Sequence, residues 1–398
     1  MLYNPAIATE EGFIMHPILE EVLSSSASSR RDAHLRVSRR PTRGGVTDEE
    51  LAGLLESVTS KILVVGVGGA GNNAITRLME VGIEGAETLS VNTDAQDLFY
   101  TNSNYKILIG RETCGGLGAG NDPDVGEAAA IESYDILKEA TRADLVFITA
   151  GMGGGTGTGA SAHVARAAKE NGALTVAIVC LPFEVEGSVR KRNAARGLNA
   201  LMQHVDTLIA IPNEKLLEIV PDLPISQAFR VADEILVRAV KGITELISRP
   251  GLINLDFADV RKTMKNGGVS MIALGEAEGE NRAEEAVRNA LQNPLIDVSI
   301  ENARNVLVNV SGSEGLQLWE VKRVVELVTE QVNPDAEVIY GAVIIPELGN
   351  RIRVTLIASG VSSPYILKST PDPVRPLIDD IGMEFHKSED SHWSLDKD

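Results

Sequence analysis

The chain has 398 residues, enough for two domains, and 43% of them are hydrophobic, enough to build sizeable cores. Its formal net charge of -19 argues against nucleic acid or an anionic membrane as a partner held by bulk electrostatic attraction. Two widely separated cysteines argue against a disulfide framework and favour a reducing, cytoplasmic setting, and no apolar run reaches the length of a membrane span.

The first 60 residues are expected to form an N-terminal extension. Residues 24–45 are rich in Ser and Arg, which is typical of a linker. Its arginines could contact an acidic partner or lipid headgroups, and a solvated linker is the alternative. A capping-box pattern at residues 47–50, TDEE, then predicts a helix over 49–58.

The first glycine-rich loop is residues 66–71, GVGGAG, which follows a strand predicted over 61–65 and opens a helix from Asn72 to about Val81. Its G-x-G-x-x-G pattern by itself indicates NAD or FAD binding, so a dinucleotide oxidoreductase is one candidate. Dinucleotide-binding enzymes have an acidic residue that contacts the ribose about twenty residues after this loop, whereas the second strand here ends in NTDAQ at 92–96. No G-x-x-x-x-G-K-[ST] pattern occurs, which excludes an ordinary P-loop NTPase.

Two further glycine-rich loops follow. Residues 114–126, CGGLGAGNDPDVG, precede a helix predicted over 131–140, and residues 150–159, AGMGGGTGTG, lie between a strand over 145–149 and a helix over 160–170. Glycine lets the backbone approach a ligand closely, and the N–H groups at a helix N terminus favour an anion such as a phosphate chain. A flexible turn with a threonine cap is the alternative for residues 150–159.

Strands predicted over 173–181 and 207–211 complete the first half, and the polar start of a helix lies between them. Strands that alternate with helices, with glycine loops at the strand ends, predict an α/β fold with a doubly wound parallel sheet. Its ligand should lie in the crevice at the carboxyl ends of the strands.

A periodic apolar pattern over Ile225–Ser248 predicts one helix about 36 Å long that links two domains. The C-terminal half then predicts a smaller α+β domain with strands over 269–275, 305–311, 337–344 and 351–359 and helices over 280–292 and 318–332. The predicted domains are an N-terminal extension (1–60), a nucleotide-binding α/β domain (61–224), a linking helix (225–249), a C-terminal α+β domain (250–361) and a tail (362–398).

Five motifs occur in one order: GGAGNN at 68–73, NTDAQ at 92–96, GLGAG at 116–120, GGTGTG at 154–159 and NLDFADV at 254–260. Together they resemble the tubulin/FtsZ family of GTPases, and they match its FtsZ branch rather than tubulin. The similarity covers about residues 60–360, and several loop details are closer to archaeal members.

The resemblance implies a GTP-hydrolysing cytoskeletal protein that polymerises head to tail into protofilaments and forms the cell-division ring. The implied cofactors are GTP or GDP and Mg²⁺, which phosphates and water would mainly hold. The implied location is the cytoplasm, at the division site beneath the membrane. From the residues themselves, tail segment 377–385, LIDDIGMEF, where apolar residues interrupt a charged run, could dock a membrane-anchoring or division adaptor protein, and an unstructured solvated tail is the alternative. The extension is a second candidate for docking. The tail lacks a bacterial-type docking peptide, and the extension is longer than a bacterial member would have.

The resemblance also implies which residues contact the nucleotide. The phosphate and sugar contacts would come from the three loops and the end of the second strand: Gly68, Gly69, Ala70, Gly71, Asn72, Asn92, Asp94, Gly118, Ala119, Gly120, Gly153, Gly154, Gly155, Thr156 and Gly157. The base and ribose would contact Glu186, Arg190, Asn213, Phe229 and Asp233.

Each of these base-side assignments has a chemical reason or an alternative. A carboxylate at Asp233 can accept hydrogen bonds from guanine N1–H and N2–H₂, whereas the N1 acceptor of adenine would be repelled. The alternative for Glu186 and Arg190 is an ordinary ion pair four residues apart on a helix face. The alternative for Phe229 is core packing rather than stacking on the base.

Asp256 and Asp259 have two compatible interpretations. From the residues alone, Asp256 is the N-cap of a helix over 257–265, with Asp259 in the positive first turn. The resemblance instead implies that this loop projects onto the γ-phosphate of the next subunit. There the two carboxylates would polarise the attacking water and Asn254 would help to position it. The intact loop argues against a tubulin-like structural paralogue that binds GTP but barely hydrolyses it.

Overall fold

The computed structural model describes residues 60–215, 224–248, 251–253, 256–292 and 300–361. The predictions that lie outside these described residues are the N-terminal extension up to residue 59 with its helix over 49–58, the catalytic candidate Asn254, and the tail 362–398 with its docking segment 377–385.

The first half of the chain alternates strands and helices along a parallel sheet. Its elements are β1 (Ile62–Val67), α1 (Gly68–Val81), β2 (Ala86–Asn92), α2 (Ala95–Tyr100), β3 (Tyr105–Leu108), α3 (Arg111–Cys114), α4 (Pro123–Glu132), α5 (Tyr134–Ala140), β4 (Leu145–Gly151), α6 (Thr156–Glu170), β5 (Leu174–Leu181), α7 (Ser188–Met202) and β6 (Thr207–Pro212). All neighbouring strands are parallel in the order β3-β2-β1-β4-β5-β6. The order reverses beside β1, so the predicted doubly wound sheet is confirmed.

The second half continues the same sheet. Its elements are α8 (Ile225–Ser248), α9 (Phe257–Met264), β7 (Gly268–Glu278), α10 (Arg282–Leu291), β8 (Asn305–Gly312), α11 (Leu318–Thr329), β9 (Glu337–Ile344) and β10 (Arg351–Ser359). The strand order runs on as β6-β7-β10-β8-β9, with β10 antiparallel to both β7 and β8. The ten strands therefore form one sheet, which is parallel in its first half and mixed in its second.

Helix α8 has the bounds that its apolar pattern predicts, and it packs both halves of the sheet into one core. Ile235 and Ile243 of α8 are buried in the same apolar cluster as Ile178 of β5, Ile272 of β7 and Ile357 of β10. The long helix therefore fixes the first half of the sheet against the second by apolar burial.

Two helices begin earlier than the sequence predicts: α1 begins at Gly68 rather than Asn72, and α6 at Thr156 rather than residue 160. The helix predicted over 131–140 corresponds to α5, and α4 before it has no predicted counterpart. Glycine has a poor helix propensity, which hides a helix start in the sequence. The N–H groups of the first turn need no intrahelical partner, so glycines cost less there.

Helix α9 packs at the amino ends of the parallel strands. Thr207, the first residue of β6, donates from Oγ1 to the Met264 carbonyl at 2.7 Å. Arg261 of α9 donates to the Gly172 carbonyl, just before β5, at 2.8 Å. None of the helices within the described ranges combines the length and the apolar character that crossing a bilayer needs.

Candidate functional site

A cavity of about 540 Å³ opens at the carboxyl ends of β1, β4 and β5. Fifteen of the residues that the sequence nominates line it: Gly68, Gly69, Ala70, Asn92, Asp94, Gly118, Gly154, Gly155, Thr156, Gly157, Glu186, Arg190, Asn213, Phe229 and Asp233. The crevice therefore lies where a doubly wound sheet should carry its ligand.

Two helix N termini meet at one end of the cavity, and neither has a side-chain cap. The residue before α1 is Val67 and the residue before α6 is Gly155, and neither side chain accepts a backbone hydrogen bond. By contrast, Asp94 caps α2 and Asp122 caps α4. The first-turn N–H groups of α1 and α6 therefore keep their donor capacity and positive dipole ends for an anion.

The two uncapped helices approach so closely that only glycine fits between them. Gly68 has a φ of +72°, and a Cβ there would lie 2.8 Å from the backbone nitrogen of Gly157. Gly155 has a negative φ of -77°, but a Cβ would lie 2.8 Å from Ala119 Cβ and 2.9 Å from the Asp122 nitrogen. Close approach, rather than an unusual backbone angle, therefore requires glycine at Gly155.

The threonines of the third loop do not cap α6. Thr156 is its first residue, and its Oγ1 lies 2.7 Å from Oγ1 of Thr93. Thr158 Oγ1 accepts a hydrogen bond from the Gly153 nitrogen at 2.8 Å. The alternative of a flexible, threonine-capped turn is therefore wrong, because the hydroxyl groups hold the loop to its neighbours.

Asp97 organises the polar side of the uncapped helix ends, and sequence reasoning missed it. Its Oδ2 accepts from the side-chain amide of Asn92 at 2.7 Å and from that of Asn72 at 3.4 Å. Asp94 Oδ1 accepts from the backbone nitrogens of Gln96 and Asp97. The spacing of Asn92 and Asp97, five residues across a strand end and a helix start, gave no motif by which to find this contact.

The opposite end of the cavity holds a carboxyl group in partly desolvated surroundings. Burial raises the pKa of Asp233 to about 7, and the charge of Arg77 lowers it against that effect. The neighbouring Cys180 thiol also lines the cavity, and burial together with Asp233 raises its pKa strongly. Asn213 is buried, and its Oδ1 has no hydrogen-bond partner within the described residues.

An aromatic pair borders the end of the cavity where Asp233 lies. Phe229 is 43% exposed, and its ring meets Phe183 edge to face at 5.3 Å between centroids. The alternative prediction that Phe229 packs in the core is therefore wrong. Glu186 and Arg190 form the ion pair that their spacing predicts, and both also line the cavity.

Five nominated residues lie next to the cavity without lining it: Gly71, Asn72, Ala119, Gly120 and Gly153. Gly71 packs α1 on the sheet, since a Cβ there would lie 2.4 Å from the Thr149 carbonyl oxygen. Asn72 is fully buried, and its Oδ1 has no partner within the described residues. Gly153, with a φ of +104°, packs against the backbone of Arg190.

Asp256 and Asp259 do not line the cavity. Asp256 Oδ1 accepts from the Asp259 nitrogen at 2.9 Å and Asp259 Oδ2 accepts from the Asp256 nitrogen at 3.4 Å, so the predicted cap of α9 is confirmed. Their helix is tied to the start of β5, whereas Cys180, near the end of the same strand, lines the cavity. The eight residues of β5 span about 26 Å, so these carboxylates lie far from the cavity of their own chain.

Two family models match the chain. The GTPase domain of the tubulin/FtsZ family matches residues 61–221, and the C-terminal domain of the FtsZ family matches residues 268–362.

Curated relatives match most of the chain. It is 57% identical over 320 residues to the cell division protein FtsZ of Methanothermobacter thermautotrophicus, covering 80% of this chain and 84% of the relative. It is 51% identical over 361 residues to the cell division protein FtsZ 1 of Archaeoglobus fulgidus, covering 90% and 97%. Among solved structures, an FtsZ dimer from M. jannaschii is 54% identical with a TM-score of 0.75, covering 79% of this chain and 92% of that one.

Proposed function

The chain belongs to the FtsZ family of tubulin-like GTPases, and we propose that its cavity binds GTP, which is hydrolysed when chains assemble head to tail for cell division. One observation carries this proposal above the others. The cavity has two uncapped helix N termini at one end and the half-buried carboxyl group of Asp233 at the other. A guanosine triphosphate has the same polarity, with anionic phosphates at one end and a hydrogen-bond donor edge at the other.

The phosphates lie over the N termini of α1 and α6. The backbone N–H groups of Gly68, Gly69 and residues 154–157 donate to phosphate oxygens there, and the Thr156 hydroxyl adds one more contact. Gly118 and its neighbours approach the γ-phosphate. The absence of a cap on either helix supports this arrangement, because an anion satisfies donors that a cap would otherwise occupy.

The guanine base lies at the end of the cavity that holds the Asp233 carboxyl group. Asp233 accepts from N1–H and N2–H₂, and the buried Asn213 oxygen supplies a further acceptor. The exposed ring of Phe229 stacks on the base, while Glu186 and Arg190 contact the ribose side. The partnerless oxygen of Asn213 supports the assignment, since a buried acceptor without a partner is costly.

Mg²⁺, when bound, neutralises charge on the phosphates and is held mainly by their oxygens and by water. The two carboxylates near the phosphate end are already engaged, which supports this assignment. Asp94 caps α2, and Asp97 accepts from Asn92 and Asn72. The residues therefore suit an ion that the nucleotide brings with it rather than one in a cage of protein ligands.

Hydrolysis takes place between two chains. The loop that carries Asp256 and Asp259, with Asn254, docks on the γ-phosphate in the cavity of the next chain and orients the attacking water. Support comes from the fold: these carboxylates belong to the amino ends of the parallel strands, and the cavity belongs to the carboxyl ends. A head-to-tail contact brings opposite ends of successive chains together, and its repetition makes a filament.

The polymer acts in cell division, as the names of its relatives suggest, and its proposed location is the cytoplasm beneath the membrane. Membrane-anchoring or division adaptors dock on tail residues 377–385 or on the N-terminal extension. Removing residues 363–398 should abolish adaptor docking on the tail and leave GTPase activity intact, because the match to the C-terminal domain ends at residue 362. Loss of GTPase activity would place the tail in the folded core instead.

Phosphate release at a series of protein concentrations tests the proposal. Turnover per chain should rise from near zero with concentration, because the site forms only on assembly. ATP should be a poor substrate, and NAD should not compete with GTP, which separates this function from the dinucleotide oxidoreductase. A constant turnover per chain at all concentrations would contradict the shared site.

A further inference from the structure

Two helices supply the two ends of the cavity. Gly68, Gly69 and Ala70 at the N terminus of α1 line the phosphate end, and Phe229 and Asp233 of α8 line the base end. A nucleotide in this cavity spans both helices, so the position of α8 along α1 sets the distance between the two groups of contacts. A hydrogen bond needs about 2.7–3.2 Å between its heavy atoms, and a slide of about 1 Å would therefore disrupt the base contacts.

Apolar packing joins the two helices. Ile75 and Leu78 of α1 are buried in the same apolar cluster as Ile235 and Leu236 of α8. The hydrophobic effect is not directional, so this burial favours contact between the helices more strongly than it selects one position along their axes. A directional contact would select that position.

Glu234 makes a directional contact of this kind. It follows Asp233 in α8, and its side chain is 7% exposed. Its Oε2 accepts from Nε of Arg77 in α1 at 3.2 Å, and its Oε1 accepts from Nε of Arg238, one turn later in α8, at 3.1 Å. Each carboxylate oxygen therefore holds a different arginine, and one of the two arginines belongs to the other helix.

Both arginines are also held by a second carboxylate. Arg77 Nη1 donates to Glu80 Oε2 at 3.1 Å within α1. Arg238 Nη1 lies 3.8 Å from Glu276 Oε1 of β7. The carboxylate of Glu234 therefore lies at the centre of a chain of charges that runs from α1 through α8 to the second half of the sheet.

Stability alone is a weak reason for a buried ion pair. Removing two charges from water costs free energy that their attraction only partly returns, so apolar side chains of similar size are often at least as stable. The gain is geometric, because a guanidinium group donates in fixed directions. A role in fixing the register therefore explains the pair between α1 and α8 better than a role in stability.

We propose that Glu234 is a positioning residue that sets the register of α8 against α1 through Arg77, and so holds Asp233 at the distance from the phosphate end at which it selects guanine. Glu234 does not line the cavity and acts through its neighbour Asp233. The inference rests on the proposed placement of guanine against Asp233.

The test compares the Kd of GDP with that of inosine diphosphate (IDP), measured by calorimetry for the full chain and for Glu234→Met. IDP lacks the N2 amino group and so loses one of the two hydrogen bonds to Asp233. The ratio of the IDP Kd to the GDP Kd therefore reports how well this carboxylate meets the base. Both ligands avoid turnover, and work at pH 8.5 keeps Asp233 ionised, since its pKa is about 7.

Glu234→Met fills a similar volume and removes both contacts of the carboxylate. Arg77 keeps Glu80 and Arg238 keeps Glu276, so each arginine retains a carboxylate. The wild type should bind GDP about tenfold or more tightly than IDP, because a hydrogen bond to a charged group is a strong one. In Glu234→Met the ratio should fall to about threefold or less.

Arg77→Met breaks the same contact from α1 and should lower the ratio in the same way, which also serves if Glu234→Met does not fold. Glu320→Met is the matched control, because Glu320 is 4% exposed and is held by Arg282 in the second half of the chain. It should leave the ratio unchanged, and an equal fall in this control would overturn the inference. So would an unchanged ratio in Glu234→Met and Arg77→Met, even with weaker binding, since a purely structural role weakens both ligands equally.

Asp233→Asn separates failure of this inference from failure of the proposed function. If the wild type binds GDP and IDP equally, or if Asp233→Asn keeps the wild-type ratio, the proposed placement of the base is wrong, and the inference about Glu234 is overturned with it. If Asp233→Asn lowers the ratio while Glu234→Met and Arg77→Met keep it, only the role of Glu234 is wrong.

Discussion

The two ends of the parallel sheet are built for different tasks. At the carboxyl ends, glycines and two uncapped helix N termini leave backbone donors directed at a cavity of about 540 Å³. At the amino ends, two carboxylates cap α9 reciprocally, and Asp256 is exposed. One end can hold an anion, and the other can polarise a water molecule. Strand β5, whose eight residues span about 26 Å, runs between the two ends, so the proposed hydrolysis needs both ends from different chains.

Asp259→Ala should remove a working carboxylate at the amino ends of the strands and leave the cavity at their carboxyl ends intact. Turnover of GTP should fall at least about a hundredfold, because a group that acts on the attacking water is lost. GTP binding should be unchanged, and filaments should persist because their GTP is not cleaved. Phosphate release and sedimentation measure the two effects, with Asp335→Ala as a control for loss of an exposed carboxylate. Wild-type turnover, with about 1 kcal/mol of stability lost, would reduce the loop to a helix cap.

Gly155→Ser should instead damage the cavity at the carboxyl ends of the strands. The new Cβ would lie 2.8 Å from Ala119 Cβ and 2.9 Å from the backbone of Asp122, so the loop must shift. At about 1 to 3 kcal/mol for such overpacking, the GTP Kd should rise about fivefold to 150-fold. Gly315→Ser is the matched control, because a Cβ there meets only Ser313 Oγ at 3.9 Å. A wild-type Kd for Gly155→Ser would mean that this loop is not the phosphate site.

Acidification should weaken nucleotide binding at the end of the cavity where Asp233 lies. Burial raises the pKa of Asp233 to about 7, and guanine donors favour its ionised form, so binding is strongest above pH 7 and weakens below it. Between pH 8 and pH 6 the Kd of GDP should rise about tenfold, the ratio of the ionised fractions. Asp233→Asn should bind weakly with no such slope, and a slope that survives this substitution would assign the titration to another group.

Thr156→Ala should produce the smallest change. It removes the hydroxyl contact with Thr93 at 2.7 Å and one donor to phosphate. A hydrogen bond contributes about 0.5 to 1.5 kcal/mol, so the GTP Kd should rise about threefold to tenfold. Ser161→Ala lies on the same helix and removes a buried hydroxyl without a partner among the described residues, so it should bind as the wild type does. Equal effects of both substitutions would assign the loss to the helix rather than to the hydroxyl contact.

The sequence predicts the helices and strands better than it predicts where a glycine-rich loop ends and its helix begins. The bounds of α8, β9 and β10 agree with their patterns, because the apolar periodicity along each segment is a local signal that marks its extent. Helices α1 and α6 begin inside the glycine loops, which propensity alone would not predict. Their starts depend on contacts between distant segments, such as Gly68 against Gly157. Such contacts are set by the fold and have no local pattern.

The same reason explains which residues of the candidate site escaped prediction. Glycine-rich loops and strand ends are local signals that mark the phosphate side of the cavity, whereas the residues on the base side were assigned from the family resemblance. Asp97 and Thr93 were missed, since they act by holding Asn92 and Thr156 rather than through a motif. Gly71 lies outside the lining because its missing Cβ serves the packing of α1 on the sheet.

Mixing two damaged chains tests the shared site most directly. Asp259→Ala keeps a cavity but lacks the working loop, and Gly155→Ser keeps the loop but lacks a working cavity. Each alone should hydrolyse GTP slowly, and each should remain folded by circular dichroism. In a mixture, the loop of one variant can dock on the GTP held by the other, so phosphate release should exceed the sum of the separate rates and should peak near equal proportions. A mixture whose rate equals that sum at every proportion would contradict the account, because it would mean that each chain hydrolyses its own nucleotide.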